Sequence, residues 1–131
     1  MDASFTYSEI TDDLQVEVDP AYIESRSQPK LGFFYAYTVK ITNLGNEAYQ
    51  LIGRHWIIRD GTGKEEQVRG DGVVGEKPFI NPGETYQYTS ACPLKTPTGN
   101  MRGAYIMQRE DSSMFEVTIP LFFLRPPYTF Q

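Results

Sequence analysis

Cysteine occurs once in this chain, at Cys92, which excludes an intramolecular disulfide and leaves no pair of thiols at zinc-ligand spacing. A reducing cytoplasm is the compartment such usage implies. Histidine also occurs once, at His55, so the usual ligands of a zinc site cannot be assembled, and the carboxylates show no calcium-loop pattern. The adjacent pairs Asp12-Asp13 and Glu65-Glu66 would point to opposite faces of a strand instead of clasping one ion. No bound metal and no cofactor are expected. Long apolar runs are missing as well. The greasiest stretch, Ile119 to Leu124, falls far short of the roughly 18 residues a membrane helix needs. The opening Met1-Asp2-Ala3-Ser4-Phe5-Thr6 has no basic segment followed by an apolar one, so neither a signal peptide nor a transit peptide is expected, and no membrane insertion. Positive charge is in deficit: 12 Lys and Arg face 17 Asp and Glu, a net charge of -5. That is the wrong sign for a domain whose affinity comes from neutralising phosphates, and nucleic acid is not an expected partner.

Helical spacing is absent over any useful length, and alternation with a period of two takes its place. Phe33 to Thr42, Leu14 to Val18 and Phe115 to Ile119 carry the clearest half-buried strand patterns. Tyr49 to Asp60, Glu65 to Arg69, Thr85 to Ala91 and Met101 to Arg109 are less regular strands bounded by Gly, Pro, Asn or Asp, and a short strand is expected near Phe5 to Ile10. Asn43-Leu44-Gly45-Asn46, Asp60-Gly61-Thr62-Gly63 and Asn81-Pro82-Gly83-Glu84 read as turns. Residues 24–32, 70–82 and 93–100 read as loops. About eight short strands in 131 residues specify a single all-β domain, a sandwich or partly open barrel, spanning residues 1–131. The tail Arg125 to Gln131, with two consecutive prolines, resists regular structure.

Two motifs invite a chemical reading. Arg69 to Glu76 matches G-x-G-x-x-G at Gly70, Gly72 and Gly75, but Pro78 and Pro82 follow where a dinucleotide site needs a helix. What survives is a nest of backbone N–H groups for a pyrophosphate or nucleotide, aided by Arg69, Lys77 or Arg54, set against glycines that simply shape an irregular loop. Gly53 to Ile58 holds both His55 and Trp56. A Cys92–His55 dyad would need the two brought together, and a packed His55 beside a core Trp56 is the plainer expectation, so no catalytic residue is assigned. Nine Tyr and eight Phe exceed what one sandwich core hides, which leaves aromatic anchors for a protein partner. Exposed edge strands would also allow a homodimer.

Gly53-Arg54-His55-Trp56-Ile57-Ile58, Val68 to Glu76, Pro82-Gly83-Glu84, Tyr88-Thr89-Ser90, Leu94 to Gly99 and Met101 to Tyr105, in this order, resemble the bacterial ApaG family from the amino-terminal strand to about Leu124. The resemblance implies a fibronectin type III-like antiparallel β-sandwich that binds another protein and is not an enzyme. It also implies a link to cobalt resistance and magnesium efflux, and for the Gly-rich loop it brings the suggestion of nucleotide or pyrophosphate binding. Arg54, His55, Trp56, Arg69, Gly70, Gly72, Gly75 and Glu76 are the candidate binding residues. Glu110-Asp111-Ser112-Ser113, without a glycine in its turn, and the Arg125-Pro126-Pro127 tail depart from the family pattern.

Overall fold

The structure is a computed structural model that describes residues 6–27 and 32–127. Nine strands run through them: β1 Tyr7–Thr11, β2 Leu14–Tyr22, β3 Phe33–Asn43, β4 Tyr49–Asp60, β5 Glu65–Asp71, β6 Phe79–Ile80, β7 Thr85–Leu94, β8 Gly99–Gln108 and β9 Met114–Leu124. They form two antiparallel sheets, one ordered β1-β2-β3-β7 and the other β5-β4-β8-β9, with β6 beside β4. The expected sandwich is therefore what the chain builds. Among the described residues no helix is long and apolar enough to cross a membrane. The one helical element among the described residues is a 3-10 turn, Glu24–Arg26, inside the expected loop 24–32.

Alternation puts one face of each strand into the core. On β3 the odd positions from Phe33 to Asn43 are buried. The last of these, Asn43, is a fully buried polar side chain whose groups are all satisfied: Nδ2 donates to the carbonyls of Glu47 and Ile80 at 2.7 and 2.9 Å, and Oδ1 accepts from Gly45 N–H. The bond to Ile80 fastens β6, two residues between Pro78 and Pro82 that are too few for any periodicity to reveal.

Three expected strands run further than their patterns indicate, each through a proline. Pro20 lies on β2 beyond the last β1 pair, Tyr7 with Val18, where no neighbour needs its N–H. Pro120 lies where the β8–β9 register shifts between Met101 and Gly103, a bulge that sets two residues of β9 against one. Pro93 lies on the outermost strand of its sheet. The amino-terminal strand starts at Tyr7, and Phe5 is outside the described residues, as are Tyr128 to Gln131 of the expected tail. The expectation that Asp12 and Asp13 alternate along a strand is corrected: they form the β1–β2 turn, Asp12 with φ of 51°. There they diverge, Asp12 to Arg109 at 3.1 Å and Asp13 to the hydroxyl of Tyr49.

The two long sides of the sandwich differ. On one, β1 and β9 approach closely enough for Thr118 N–H to donate to Thr11 Oγ1 at 3.0 Å. On the other, β5 and β7 are the free edges of their sheets.

Candidate functional site

The β4–β5 register decides where the candidate residues face. Arg54 pairs with Gly70, His55 with Arg69 and Trp56 with Val68. Trp56, 3% exposed, points inward and packs edge-on against Tyr37, Tyr105 and Phe122, with ring centroids 5.2 to 6.3 Å away. Two residues back on the same face, the Arg54 guanidinium lies across Gly70. A Cβ on Gly70 would come within 2.8 Å of Cζ and of both terminal nitrogens, so only glycine leaves the guanidinium this resting place. Arg54 Nη1 then donates to the carbonyls of Asp71 and Gly72, each at 2.9 Å.

Beyond Gly72 the chain makes a minimal hairpin. Val73 and Glu76 exchange N–H···O bonds of 2.8 and 2.9 Å, and Val74 and Gly75 take φ of 44° and 79°, a type I′ turn. Gly72 N–H donates to the carbonyl of Ile52 at 2.7 Å, and Val73, 1% exposed, plugs the core. The glycines thus shape a hairpin, and within the expected nest of Gly70 to Gly75 the Gly72 and Val73 N–H groups already have acceptors. The Glu76 carboxylate accepts the Tyr86 hydroxyl at 3.0 Å, tying the hairpin to the opposite sheet. His55 and Arg69 stand on the outer face of their sheet, where His55 Nε2 meets Gln67 Oε1 at 2.9 Å. The candidate residues therefore occupy three places: the inward face of β4 for Arg54 and Trp56, the hairpin for Gly70 to Glu76, and the outer face for His55 and Arg69.

Sequence reasoning missed the cleft that opens between the edges of β5 and β7. It encloses about 630 Å³ and is walled by Ser90, Cys92 and Leu94 on one side and Val68 on the other, over a floor that includes Tyr37 and Trp56. Arg54 lines it, with Lys64 and Lys95 towards its far end. Cys92 forms part of this wall as a buried thiol. Burial, with the charge of Glu66 second, pushes its pKa up to about 11, so it is protonated and unreactive near neutral pH. His55 faces away from it on the other sheet. Deeper in, the Tyr88 and Tyr105 hydroxyls are hydrogen-bonded to each other, and burial raises the pKa of both, as it does that of Tyr37.

The edge of β7 has a defined polarity. Asn43 N–H donates to Glu84 O, so the β3–β7 ladder runs through even-numbered residues of β7, and Thr85, Gln87, Thr89 and Ala91 direct N–H and C=O outward. Pro93 falls in the outward set, where its missing donor costs no ladder bond. Of the described strands longer than two residues, β7 alone has no Asp, Glu, Lys or Arg.

The ApaG domain family matches over residues 24–109. Protein ApaG of Beijerinckia indica is 48% identical over 126 residues, covering 95% of this chain and 97% of that protein. Protein ApaG of Bordetella pertussis is 50% identical over 118 residues, covering 89% and 90%. A crystal structure of the ApaA protein from Bordetella pertussis superposes with a TM-score of 0.86 at 50% identity, covering 89% of this chain and 96% of that one. The C-terminal domain of Wzt, 8% identical with a TM-score of 0.55 over 98% of this chain and 80% of that one, shares the fold alone. With the family matched over residues 24–109 and relatives of 48% and 50% identity along most of its length, the chain belongs to the ApaG family.

Proposed function

We propose that this chain is a non-enzymatic, protein-binding domain of the cytoplasm whose contact surface is the open side of the sandwich. The observation that carries the reading is the ten-residue β7 edge, uncharged and, among the described residues, unpaired on its outer side. Soluble proteins blunt such edges. Here β5 is guarded by Glu65, Glu66, Arg69 and Asp71, and β1 is short and bonded to β9, while β7 has Pro93 at one end and nothing else. Val74 and Phe79 add exposed apolar side chains on the same side, 60% and 66% accessible. With the Gly72 and Val73 N–H groups tied into the hairpin, the stretch keeps fewer donors for a pyrophosphate or nucleotide than an open nest would. Among the described residues no three His, Cys, Asp or Glu side chains converge on one point, so a part in cobalt resistance or magnesium efflux would run through a bound partner.

Lysine-reactive crosslinking in a cytoplasmic lysate tests this. Partner crosslinks are expected on Lys64, Lys77 and Lys95, which stand exposed on the open side, with Lys40 of β3 as the comparison. Recovery of no specific partner, or crosslinks at Lys40 alone, would refute the proposal.

A further inference from the structure

Inside the cleft, Arg54 is a half-buried cation with no ion pair among the described residues. Among the described residues the salt bridges are Arg102 with Glu65 and Arg109 with Asp12, and Arg54 Nε and Nη2 have no acceptor. A guanidinium withdrawn from water without a counter-charge is costly unless a ligand supplies one. The surroundings favour an anion. The lining carries Arg54, Lys64 and Lys95 against Asp60 and Glu66, in a chain of net charge -5. Of the two carboxylates, Asp60 is already bound to Thr62 and to Lys64 N–H in its own turn.

The cleft and the β7 edge meet along Ser90 to Leu94. A strand laid on that edge would bond to the outward groups of Gln87, Thr89 and Ala91, and every second side chain would drop into the cleft. The position beside Ser90 would meet Arg54; its neighbour two residues along, beside Cys92, would meet the apolar surface of Val68 and the edge of Leu94. Resting on the protein-binding reading above, we propose that the partner binds as an extended segment added to the free edge of β7, with an acidic side chain on Arg54 and an aliphatic one two residues away. A second copy of this chain does not fit the same role. Its β7 has no carboxylate to offer, and the inward side chains of that strand are already packed in its own core.

The probe is a displayed library of random twelve-residue peptides, panned on the full chain. Enriched peptides are expected to share an acidic residue two positions from an aliphatic one, and to protect the amides of Gln87 to Ala91 from hydrogen exchange. Ala91→Pro deletes an outward N–H and no β3–β7 bond, so it is expected to keep the fold and weaken selected peptides about tenfold or more. Arg54→Glu is expected to switch the selected acid to Lys or Arg; if that variant does not fold, Ala91→Pro and the exchange footprint decide alone. Selection without an acidic preference, or binding that Ala91→Pro leaves intact, overturns the proposal while lysate crosslinks on the open side keep the broader reading alive. A wild-type dimer that Ala91→Pro dissociates assigns the edge to a second copy and overturns it too. If neither peptides nor lysate proteins bind, both fall together.

Discussion

Gly103→Ala is expected to destabilise the protein by about 3 kcal/mol or more, among the largest effects a single methyl group can have here. Gly103 pairs with Trp56 across the β4–β8 ladder, and a Cβ at this position would sit 1.9 Å from the carbonyl oxygen of His55 and 3.2 Å from the Cα of Trp56. Both obstacles are backbone, so no rotamer change relieves them. β4 cannot retreat either, because β5 and β6 flank its far side, and moving it would carry Trp56 out of its aromatic cluster and Arg54 off Gly70. Gly75→Ala is the matched control. Its cost is conformational alone, since φ is 79° with no atom within 4 Å of the new methyl group, and about 1 kcal/mol is expected. Urea unfolding of the two variants separates crowding from strain, and equal costs would mean that β4 and β8 are not packed this tightly.

That glycine shows where sequence reasoning stops. Strand identity was legible because the core imposes it residue by residue: β3 alternates through Phe33, Tyr35, Tyr37, Val39 and Ile41, and all five are buried. Strand ends were less legible, since Pro20, Pro93 and Pro120 are breakers in isolation and become tolerable only where pairing stops, lies outward or bulges. The prolines downstream of the Gly-rich stretch ruled out a following helix, and among the described residues none follows it. Its actual duties, a bed for Arg54 at Gly70 and a hairpin at Val74-Gly75, depend on a register that no local pattern encodes. The cleft was the least legible feature. It exists because β5 and β7 end up as facing edges of different sheets, and edges are made by pairing, not by composition. Trp56 and His55 are adjacent in sequence yet face opposite sides of β4, so the motif that joined them on paper is divided in space.

Alkaline pH is expected to unfold this protein steeply, by ionising the hydroxyls that the fold keeps neutral. Tyr88 and Tyr105 are buried and share a hydrogen bond, and their folded pKa values lie above the 10.0 of an unfolded tyrosine, chiefly through desolvation. For a group whose pKa rises on folding, the native state holds the proton longer, so its stabilisation is complete below pH 10.0 and is lost as pH climbs towards the folded value. Each such proton removes about 1.4 kcal/mol per pH unit, and with two hydroxyls held neutral the loss becomes comparable with the whole stability of many domains. Cys92 adds to the loss earlier, between 9.0 and about 11. Stability by urea unfolding should accordingly stay level to about pH 9 and then fall with a slope of two or more protons. Tyrosinate absorbance should show the last tyrosines ionising together with the collapse of the circular dichroism signal. Replacing both partners, Tyr88→Phe with Tyr105→Phe, deletes the hydroxyl pair without orphaning either group and should flatten the slope, whereas Tyr105→Phe alone leaves the Tyr88 hydroxyl buried without its partner and should cost about 1–3 kcal/mol at neutral pH. Full tyrosine ionisation with the sandwich still folded would mean that the hydroxyls reach solvent, and would contradict the burial of Tyr88 and Tyr105 beneath the cleft.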